Sequence, residues 1–367
     1  MIGARPLTAD DVRREFSQIN QYKGEAYYKR SEAFLRELHE DFFYEGGAIR
    51  CAMKPIVAQT ATYKIARQEV LAMLEGKTPP SLKRAVFVVE NAFDNRLSWN
   101  AYDSLIQQGV RTVKSLVNES SNQKDVHTAL IRYWRETTLD PLTKKPHLPI
   151  YYDFEDYMGQ KDYSKMLVSK LLKTNKGQCH SLPLLYKILA NELGAESAIA
   201  FAPMHSYIQH KDEQGNWLHL ELTNVRYVNS STYAQTGYVK ANTVKSGLYL
   251  NPLTEQQTLI YVLSDLLCQY LRLYPNDPEN FVLETCELAQ KYYPNFCRLR
   301  ILEANVHTSR FHYEMKRAGF PGVEEMKRNP YYMLYYNNML RSYNKVDELG
   351  YEIIPQEIYD KWVHSLV

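Results

Sequence analysis

One cysteine stands where a thiol nucleophile could be activated. Cys179 lies in the run Gly177-Gln178-Cys179-His180, directly before an apolar helical pattern that extends from Leu182 to Leu193. The amides of a helix N-terminus lack intrahelical partners and carry partial positive charge, so they favour a thiolate and can bind the oxyanion of an acyl intermediate. This position makes Cys179 a candidate nucleophile.

The helix that follows Cys179 is predicted from its periodicity and from both of its ends. Apolar residues recur at steps of three and four from Leu182 to Leu193, and Gly194 stands where a C-terminal cap is expected. A proline is tolerated in the first helical turn, so Pro183 places the helix start within about one turn of Cys179. The thiol therefore belongs to the start of the helix.

Extended segments are predicted after Gly194, at 198–201, 203–208 and 217–223, with a polar turn at 211–216. In the last segment the leucines occupy alternate positions, which leaves Trp217, His219 and Glu221 on the opposite face of a strand. A hairpin centred near Glu213 places His205 and Glu221 directly opposite each other, with Cβ atoms about 4.5–5.5 Å apart. The spacing thus predicts a carboxylate–imidazole pair.

Such a pair would complete a catalytic triad. Glu221 would fix the tautomer of His205 and stabilise its protonated form, which leaves the second ring nitrogen to take a proton from a nearby thiol. Cys179, His205 and Glu221 would then act as nucleophile, base and orienting group. The chemistry of such a triad is acyl transfer: the thiolate attacks an amide carbonyl, His205 protonates the leaving amine, and water or an amine resolves the thioester.

At these residues the chain resembles the bacterial transglutaminase-like superfamily, which is related to papain-like cysteine enzymes. Gly177 and Cys179 match its glycine, one residue, cysteine element, and Leu185 with the segment 189–194 matches the helix that follows. His205 matches the histidine strand, and the segment 217–223 matches the strand that carries a tryptophan, an acid and a threonine. More narrowly, the chain is similar to the subgroup that joins this core to tetratricopeptide-like helices.

The resemblance implies an α+β fold that is mostly helical, with a cysteine-bearing helix packed on a small antiparallel sheet and helical regions on both sides. It also implies peptide or protein amides as substrates, without a cofactor. Two positions depart from the family: aspartate is commoner than Glu221, and the residue after the histidine is usually larger than Ser206. No upstream glutamine resembles the papain-type oxyanion donor, so that role falls to backbone amides and Gln178, with His180 and Trp217 as supporting residues.

Two alternatives to this mechanism remain open, and a third, a zinc site, is disfavoured. The resolving nucleophile can be water, as in a peptidase or amidase, or an amine, as in a transglutaminase. The core can also be an inactive scaffold whose helices bind a protein partner. Finally, zinc could be bound by Cys179, His180, His205 and His219, although no second cysteine stands at metal-ligand spacing, so we predict no metal site.

Glycine-rich phosphate loops, dinucleotide fingerprints and a Gly-x-Ser-x-Gly elbow are absent from the sequence.

Length and composition further limit the number of domains, the binding partners and the cellular location that we expect. The 367 residues allow two or three domains, and 44 basic against 42 acidic residues without a basic run give no reason to expect nucleic-acid binding. No apolar run is long enough to span a bilayer, and 1–11 lacks the hydrophobic stretch of a secretory leader. Five scattered cysteines suit a reducing compartment, so a cytoplasmic location is slightly favoured, while a leader removed before Met1 would allow a secreted or periplasmic one.

The chain is predicted to comprise three regions. Residues 1–137 are expected to be helical, with helix starts at Thr8 and Ser81, an apolar stripe around Phe34, and a helix rather than a strand at 85–91. The core occupies 138–250 and begins with a proline-bearing arm that ends near Ile150.

Residues 251–367 are expected to form a C-terminal helical region of tetratricopeptide-like type that could bind a protein partner. Helices are predicted at 254–273, 278–292 and 296–307, from Pro330 to Gly350, and from Pro355. Tyrosines 331, 332, 335 and 336 lie on one of these helices, where packing is favoured over a contact surface. The remaining cysteines are expected to be packed in helices: Cys51, Cys268, Cys286 and Cys297.

Overall fold

A computed structural model describes residues 56–365 apart from 95, 118–121, 158, 160, 237 and 353. The predictions at Thr8, at the stripe around Phe34 and at Cys51 lie outside these residues. The described chain is mostly helical with small sheets, which confirms the α+β class. Among its helices, none combines the length and the apolar character that crossing a membrane requires.

The secondary structure follows one chain order. The helices are α1 (Ile56–Leu74), α2 (Leu82–Phe93), α3 (Trp99–Leu116), α4 (Gln123–Arg135), α5 (Val168–Thr174), α6 (Ser181–Glu192), α7 (Ser230–Ala234), α8 (Ala241–Lys245), α9 (Glu255–Leu273), α10 (Phe281–Gln290), α11 (Cys297–Arg317), α12 (Val323–Arg328), α13 (Pro330–Glu348) and α14 (Gln356–Ser365), and a 3-10 helix covers Tyr163–Met166. The strands are β1 (Thr138–Leu139), β2 (Pro146–His147), β3 (Tyr151–Tyr152), β4 (Lys176–Gly177), β5 (Ala198–Ala202), β6 (His205–Lys211), β7 (Trp217–Glu221) and β8 (Arg226–Val228).

Internal contacts divide the chain into two compact units. Of the described residues, 60–266 and 354–365 belong to the sheet unit, and 56–59 and 267–352 belong to the helical unit. The segment that carries α14 thus belongs with the sheets, although it is remote from them in sequence. The three sequence regions, with their boundaries at 137 and 250, stay a prediction.

The helices at the start of the sheet unit begin at side-chain caps. Ser81 accepts a hydrogen bond from the amide of Arg84 at 3.2 Å, and Asn122 accepts one from the amide of Asp125 at 2.9 Å. The segment 85–91, rich in β-branched residues, is helical as predicted, and most of its side chains are buried.

The proline-bearing arm forms short strands. β1 pairs antiparallel with β2, and β3 pairs parallel with β4, so Tyr152 lies beside Gly177. The amide of Asp153 donates to the carbonyl of Gly177 at 2.8 Å, which extends this ladder. The arm is therefore tied to the chain two residues before Cys179.

Helix α6 and the four-stranded sheet form the core of the sheet unit. The helix spans Ser181–Glu192 with Pro183 in its first turn, and Gly194 has φ 70°, so both predicted ends are confirmed. The sheet has the order β5-β6-β7-β8, with all neighbours antiparallel, and α6 contacts β5 and β6. Strand β8 was not predicted.

The predicted register of the β6–β7 hairpin is wrong by one residue at its centre. Ile208 pairs with Leu220 and Gln209 with His219, so the centre falls at 214, the midpoint of 208 and 220, and not at Glu213. Asp212 sets this turn, because its Oδ1 accepts the amides of Gln214 and Asn216 at 2.9 and 2.8 Å.

This shift changes the relation between the histidine and the acid. Glu221 is two positions away from directly opposite His205, so the two residues are diagonal neighbours. Because the displacement is even, both side chains still lie on the same face of the sheet.

The helical unit contains the C-terminal helices that the sequence indicated, with one addition. α10, α11 and α13 match predicted helices, although α11 ends ten residues later than 307, at Arg317, and α12 was not predicted. α11 packs against α13, and their shared core contains Phe311, Met315 and Tyr336. Tyr331 on the same helix is 45% exposed, so the tyrosine group contributes both to packing and to the surface.

Candidate active site

Cys179 lies two residues before the first residue of α6, and its backbone is fixed by two serines. The backbone amide of Gln178 donates to Oγ of Ser181 at 3.2 Å. Oγ of Ser206 donates to the backbone carbonyl of Cys179 at 2.5 Å. A Cβ on Gly177 would approach Oγ of Ser181 to 2.6 Å, so a larger residue would force Ser181 away from the Gln178 amide that it binds. The glycine two residues before the cysteine thus allows the tight entry into the helix.

A two-residue turn carries His205 to the same place. Pro203 and Met204 connect β5 to β6, with Ala202 paired to His205. Met204 has φ 54°, a left-handed conformation that L-residues adopt only at a cost, and proline followed by positive φ is the pattern of a type II turn. The carbonyl of Met204 lies 4.0 Å from Sγ of Cys179.

His205 and Glu221 form the predicted pair. Nε2 of His205 lies 2.8 Å from Oε2 of Glu221, and the side chains are 0% and 1% exposed. Nδ1 of His205 is buried without a hydrogen bond of normal geometry, and the ring interacts with the thiol of Cys179. The pairing of Nε2 with the carboxylate therefore assigns Nδ1 to the sulfur.

Glu221 is held in place by further donors. The amide of Thr223 donates to Oε1 at 2.9 Å, and the hydroxyl of Tyr233 donates to Oε2 at 3.2 Å. Tyr233 itself stacks on Tyr207 with ring centroids 4.1 Å apart. A carboxylate that accepts several hydrogen bonds is stabilised in its charged form, so Glu221 stays anionic although it is buried.

The charges within the triad set the three pKa values. Burial raises the pKa of Glu221, but the charge of His205 and its hydrogen bond outweigh burial, so the pKa is lowered. Burial lowers the pKa of His205, but Glu221 and Cys179 raise it to about 10. Burial raises the pKa of Cys179, but interactions with His205, the Tyr359 hydroxyl and the Ser206 amide lower it below its ordinary value. Both shifts act in the same direction, because each favours the charged form: the thiolate of Cys179 and the imidazolium of His205.

The C-terminal helix α14 contributes two aromatic side chains. The hydroxyl of Tyr359 lies 3.8 Å from Sγ of Cys179, and the ring of Trp362 meets the His205 ring edge-on, with centroids 5.0 Å apart. Nε1 of Trp362 donates to the carbonyl of Thr232 at 3.2 Å. These rings shield the imidazole from water while Cys179 stays partly exposed.

His180 belongs to a separate network beside the thiol. Its Nδ1 lies 2.5 Å from the hydroxyl of Tyr261, and its Nε2 lies 3.1 Å from Oδ2 of Asp265. The Tyr261 hydroxyl in turn lies 3.5 Å from Oγ of Ser206, the residue that binds the carbonyl of Cys179. Both ring nitrogens of His180 are engaged, so it supports the backbone around the cysteine.

The other predicted supporting residues lie differently. Gln178 is fully buried, and neither atom of its side-chain amide makes a hydrogen bond. Trp217 pairs with Lys211. Lys211 lies six residues after His205 on β6, which at the rise of a strand is a separation of about 20 Å. Lys211 also places its ammonium 5.1 Å from the Trp217 ring centre. The structure thus does not bring Trp217 to the triad.

The candidate zinc ligands do not converge either. His219 lies 3.1 Å from the hydroxyl of Tyr207, while His180 and His205 have the partners given above. Within the described ranges, no group of three or more His, Cys, Asp or Glu side chains is arranged to hold a metal ion. Cys286 and Cys297 are buried and Cys268 is partly buried in the helical unit.

Four aromatic residues at the site were missed by the sequence reasoning: Tyr152, Tyr233, Tyr359 and Trp362. Tyr152 comes from β3, Tyr233 from α7 and the others from α14, so they reach the triad only through the tertiary fold. No local pattern marks these three tyrosines among the 30 of the chain, or Trp362 among its four tryptophans.

The chain was also compared with known proteins. No protein-family model, no curated protein and no solved structure matched it. The arrangement of the side chains is therefore the basis on which its chemistry is inferred.

Proposed function

We propose that the protein is a cysteine-dependent enzyme that transfers or hydrolyses acyl groups of peptide or protein amides. The observation that carries this proposal is the buried pair of His205 and Glu221 at 2.8 Å, with Nδ1 of the imidazole assigned to a thiol whose pKa is lowered. A buried base that is oriented by an acid beside a partly exposed thiol is the arrangement that nucleophilic catalysis requires. The residues that resemble the transglutaminase-like superfamily include all three members of the triad.

The reaction follows from the protonation states. The thiolate of Cys179 forms a bond to the carbonyl carbon, and the electron pair of the C=O bond moves to oxygen. When that pair returns, the C–N bond breaks, and His205 gives its proton to the leaving amine. Water or an amine then attacks the thioester carbon and gives a proton back to His205. When the electron pair on oxygen returns, the C–S bond breaks, which releases the acid or the new amide and regenerates the thiolate. Glu221 keeps its charge throughout and holds the ring.

Two parts of the proposal concern specificity. Hydrolysis and transamidation use the same first half of the reaction, so the residues of the triad support both. The helices α10–α13, which we propose to be tetratricopeptide-like, are the candidate region for binding a protein partner. In either case the chemistry would need no metal and no organic cofactor.

Selective alkylation tests the proposal. Iodoacetamide should modify Cys179 near about pH 6.5, where an ordinary thiol is almost fully protonated, and should leave the buried Cys286 and Cys297 unmodified. With 4-nitrophenyl acetate as acyl donor, an acetyl group should appear on Cys179 in the mass spectrum together with nitrophenolate. An added primary amine that accepts this acetyl group would indicate a transferase.

The variants His205→Ala and Cys179→Ser complete the test. His205→Ala should slow the alkylation of Cys179 at least about tenfold at this pH, because the thiolate loses its counter-ion. If Cys179 in the wild-type protein reacts no faster than an ordinary thiol and takes up no acetyl group, the enzyme proposal is wrong. The core would then be an inactive scaffold, the alternative from the sequence.

A further inference from the structure

Two tyrosine hydroxyls flank the sulfur of Cys179 from opposite ends of the sequence. Tyr359 on α14 places its hydroxyl 3.8 Å from Sγ. Tyr152 on β3 is held beside Gly177 by the parallel β3–β4 pair, two residues before the cysteine. The Tyr152 hydroxyl is buried without a hydrogen bond of normal geometry, although the side chain interacts with both Cys179 and Tyr359.

Both hydroxyls keep their protons. Burial, followed by the negative charge of Cys179, raises the pKa of Tyr152 and of Tyr359 well above the usual range. A phenol that stays neutral beside a thiolate can only donate a hydrogen bond to a negative group. Burying the Tyr152 hydroxyl without a hydrogen bond of normal geometry costs free energy, which is regained when an anion arrives between the two hydroxyls.

The distance suits the anion that forms during acyl transfer. The oxyanion is bonded to the carbon that Sγ attacks, one C–O bond beyond that carbon. A donor 3.8 Å from the sulfur can therefore lie at the distance of about 2.7–3.1 Å that oxyanion stabilisation requires. The side-chain amide of Gln178, to which the sequence assigned this role, makes no hydrogen bond, whereas the hydroxyl of Tyr359 is a hydrogen-bonding neighbour of Sγ.

We propose that the hydroxyls of Tyr359 and Tyr152 form the oxyanion site of this enzyme, with Tyr359 as the main donor. Because the reaction they would serve is acyl transfer at Cys179, this inference rests on the proposed function. In the step itself, the carbonyl π pair moves to oxygen as the S–C bond forms. Both phenolic protons stay on their own oxygens and are only shared with the oxyanion.

Comparing two reactions of the same thiol isolates this role. Acylation by 4-nitrophenyl acetate passes through a tetrahedral oxyanion, whereas alkylation by iodoacetamide is a direct displacement without one. In Tyr359→Phe the acylation rate should fall at least about tenfold relative to the alkylation rate, and in Tyr152→Phe at least about threefold. The matched control is Tyr157→Phe, since Tyr157 stacks on Tyr359 and its hydroxyl binds Asp360, and its ratio should stay as in the wild type.

The outcomes separate the two proposals. If acylation and alkylation fall in parallel in Tyr359→Phe, the hydroxyl only stabilises the thiolate, and the oxyanion role is overturned. An unchanged ratio in both tyrosine variants overturns it as well. If Tyr359→Phe does not fold, as judged by circular dichroism, the ratio in Tyr152→Phe decides. A wild-type protein that takes up no acetyl group while still reacting selectively with iodoacetamide would instead overturn the proposed acyl transfer, and with it this inference.

Discussion

Replacing Glu221 by glutamine should weaken the thiolate of Cys179 without disturbing the hairpin that carries it. Oε2 of Glu221 lies 2.8 Å from Nε2 of His205, and both groups are buried, so their attraction is poorly screened by solvent. Glutamine keeps the shape and an oxygen for the ring N–H but removes the negative charge. The imidazolium of His205 then loses its main counter-charge. Because a neutral imidazole cannot act as a counter-ion, the thiolate of Cys179 is destabilised as well.

The size of the effect can be worked from the pair itself. The pKa of His205 is raised from 6.5 to about 10 against the opposing effect of burial, and the charge of Glu221 comes first among the causes that raise it. Removing one adjacent opposite charge typically shifts a pKa by about 1–3 units, and a shift of about 2 units corresponds to about 2.7 kcal/mol. The thiolate–imidazolium form, and with it the alkylation rate near about pH 6.5, should fall about 10- to 100-fold.

The assay is the rate of iodoacetamide modification of Cys179, followed by mass spectrometry across a range of pH. In the wild type the rate should already be high below neutral pH. In Glu221→Gln it should rise only as the pH approaches the pKa of an ordinary thiol. Glu213→Gln is the matched control, because Glu213 lies at the turn of the same hairpin, is exposed and forms an ion pair with Lys124 at the surface. It should reproduce the wild-type profile.

Two results would refute this reasoning. A Glu221→Gln protein that is folded and has the wild-type pH profile would mean that the carboxylate does not set the ionisation of the pair. An equal loss in Glu213→Gln would mean that the effect arises from the hairpin as a whole. Thermal melts of both variants establish that the rates refer to folded protein.

Three further predictions concern other parts of the chain. Glu90 accepts the first amides of α5, and burial, ahead of these hydrogen bonds, raises its pKa from 4.5 to about 7. The folded state therefore binds this proton more tightly than the unfolded state, and the unfolding free energy should fall by about 3 kcal/mol as the pH rises from about 4.5 through about 7. Urea titrations should show this fall in the wild type and not in Glu90→Gln. His180→Gln should lower stability by about 1–3 kcal/mol because the ring binds Tyr261 and Asp265, while the alkylation profile of Cys179 stays close to that of the wild type. Asp277→Ala should destabilise the helical unit by about 2–3 kcal/mol, seen as faster hydrogen exchange in α10, because Asp277 accepts the first amides of that helix and pairs with Arg310.

For each of these three predictions, one result would contradict the reasoning. The same pH dependence in Glu90→Gln as in the wild type would assign that proton to another group. A loss of alkylation in His180→Gln as large as that expected for His205→Ala would make His180 the base. Unchanged exchange in α10 after the Asp277 substitution would remove the capping role.

Sequence patterns predicted those parts of the site that depend on interactions between residues near each other in the chain. Pro183 and Gly194 set the two ends of α6, and alternation of apolar residues set the strands that carry His205 and Glu221. The register was off by one residue at the hairpin centre because the side chain of Asp212, and not symmetry about the polar segment, determines the turn. The pair formed nevertheless, since an even displacement keeps both side chains on one face.

The parts that the sequence did not reveal depend on contacts between remote segments. Tyr359 and Trp362 stand 180 or more residues after Cys179, and Tyr152 reaches the sulfur through a strand pair of two residues. Trp217 was predicted to support the site, yet the pairing with Lys211 places it at the opposite end of the hairpin. Periodicity and spacing describe a segment and its neighbours, whereas these positions are set by how helices and strands pack together.

The most direct test of the account is the ionisation of the Cys179 thiol itself. The difference in ultraviolet thiolate absorbance between the wild type and Cys179→Ser, followed against pH, reports that one group. The triad predicts a midpoint clearly below the ordinary thiol value of about 8.5, and a shift back toward that value in His205→Ala. A wild-type midpoint at or above the ordinary value would mean that burial prevails over the imidazolium, which would contradict the account.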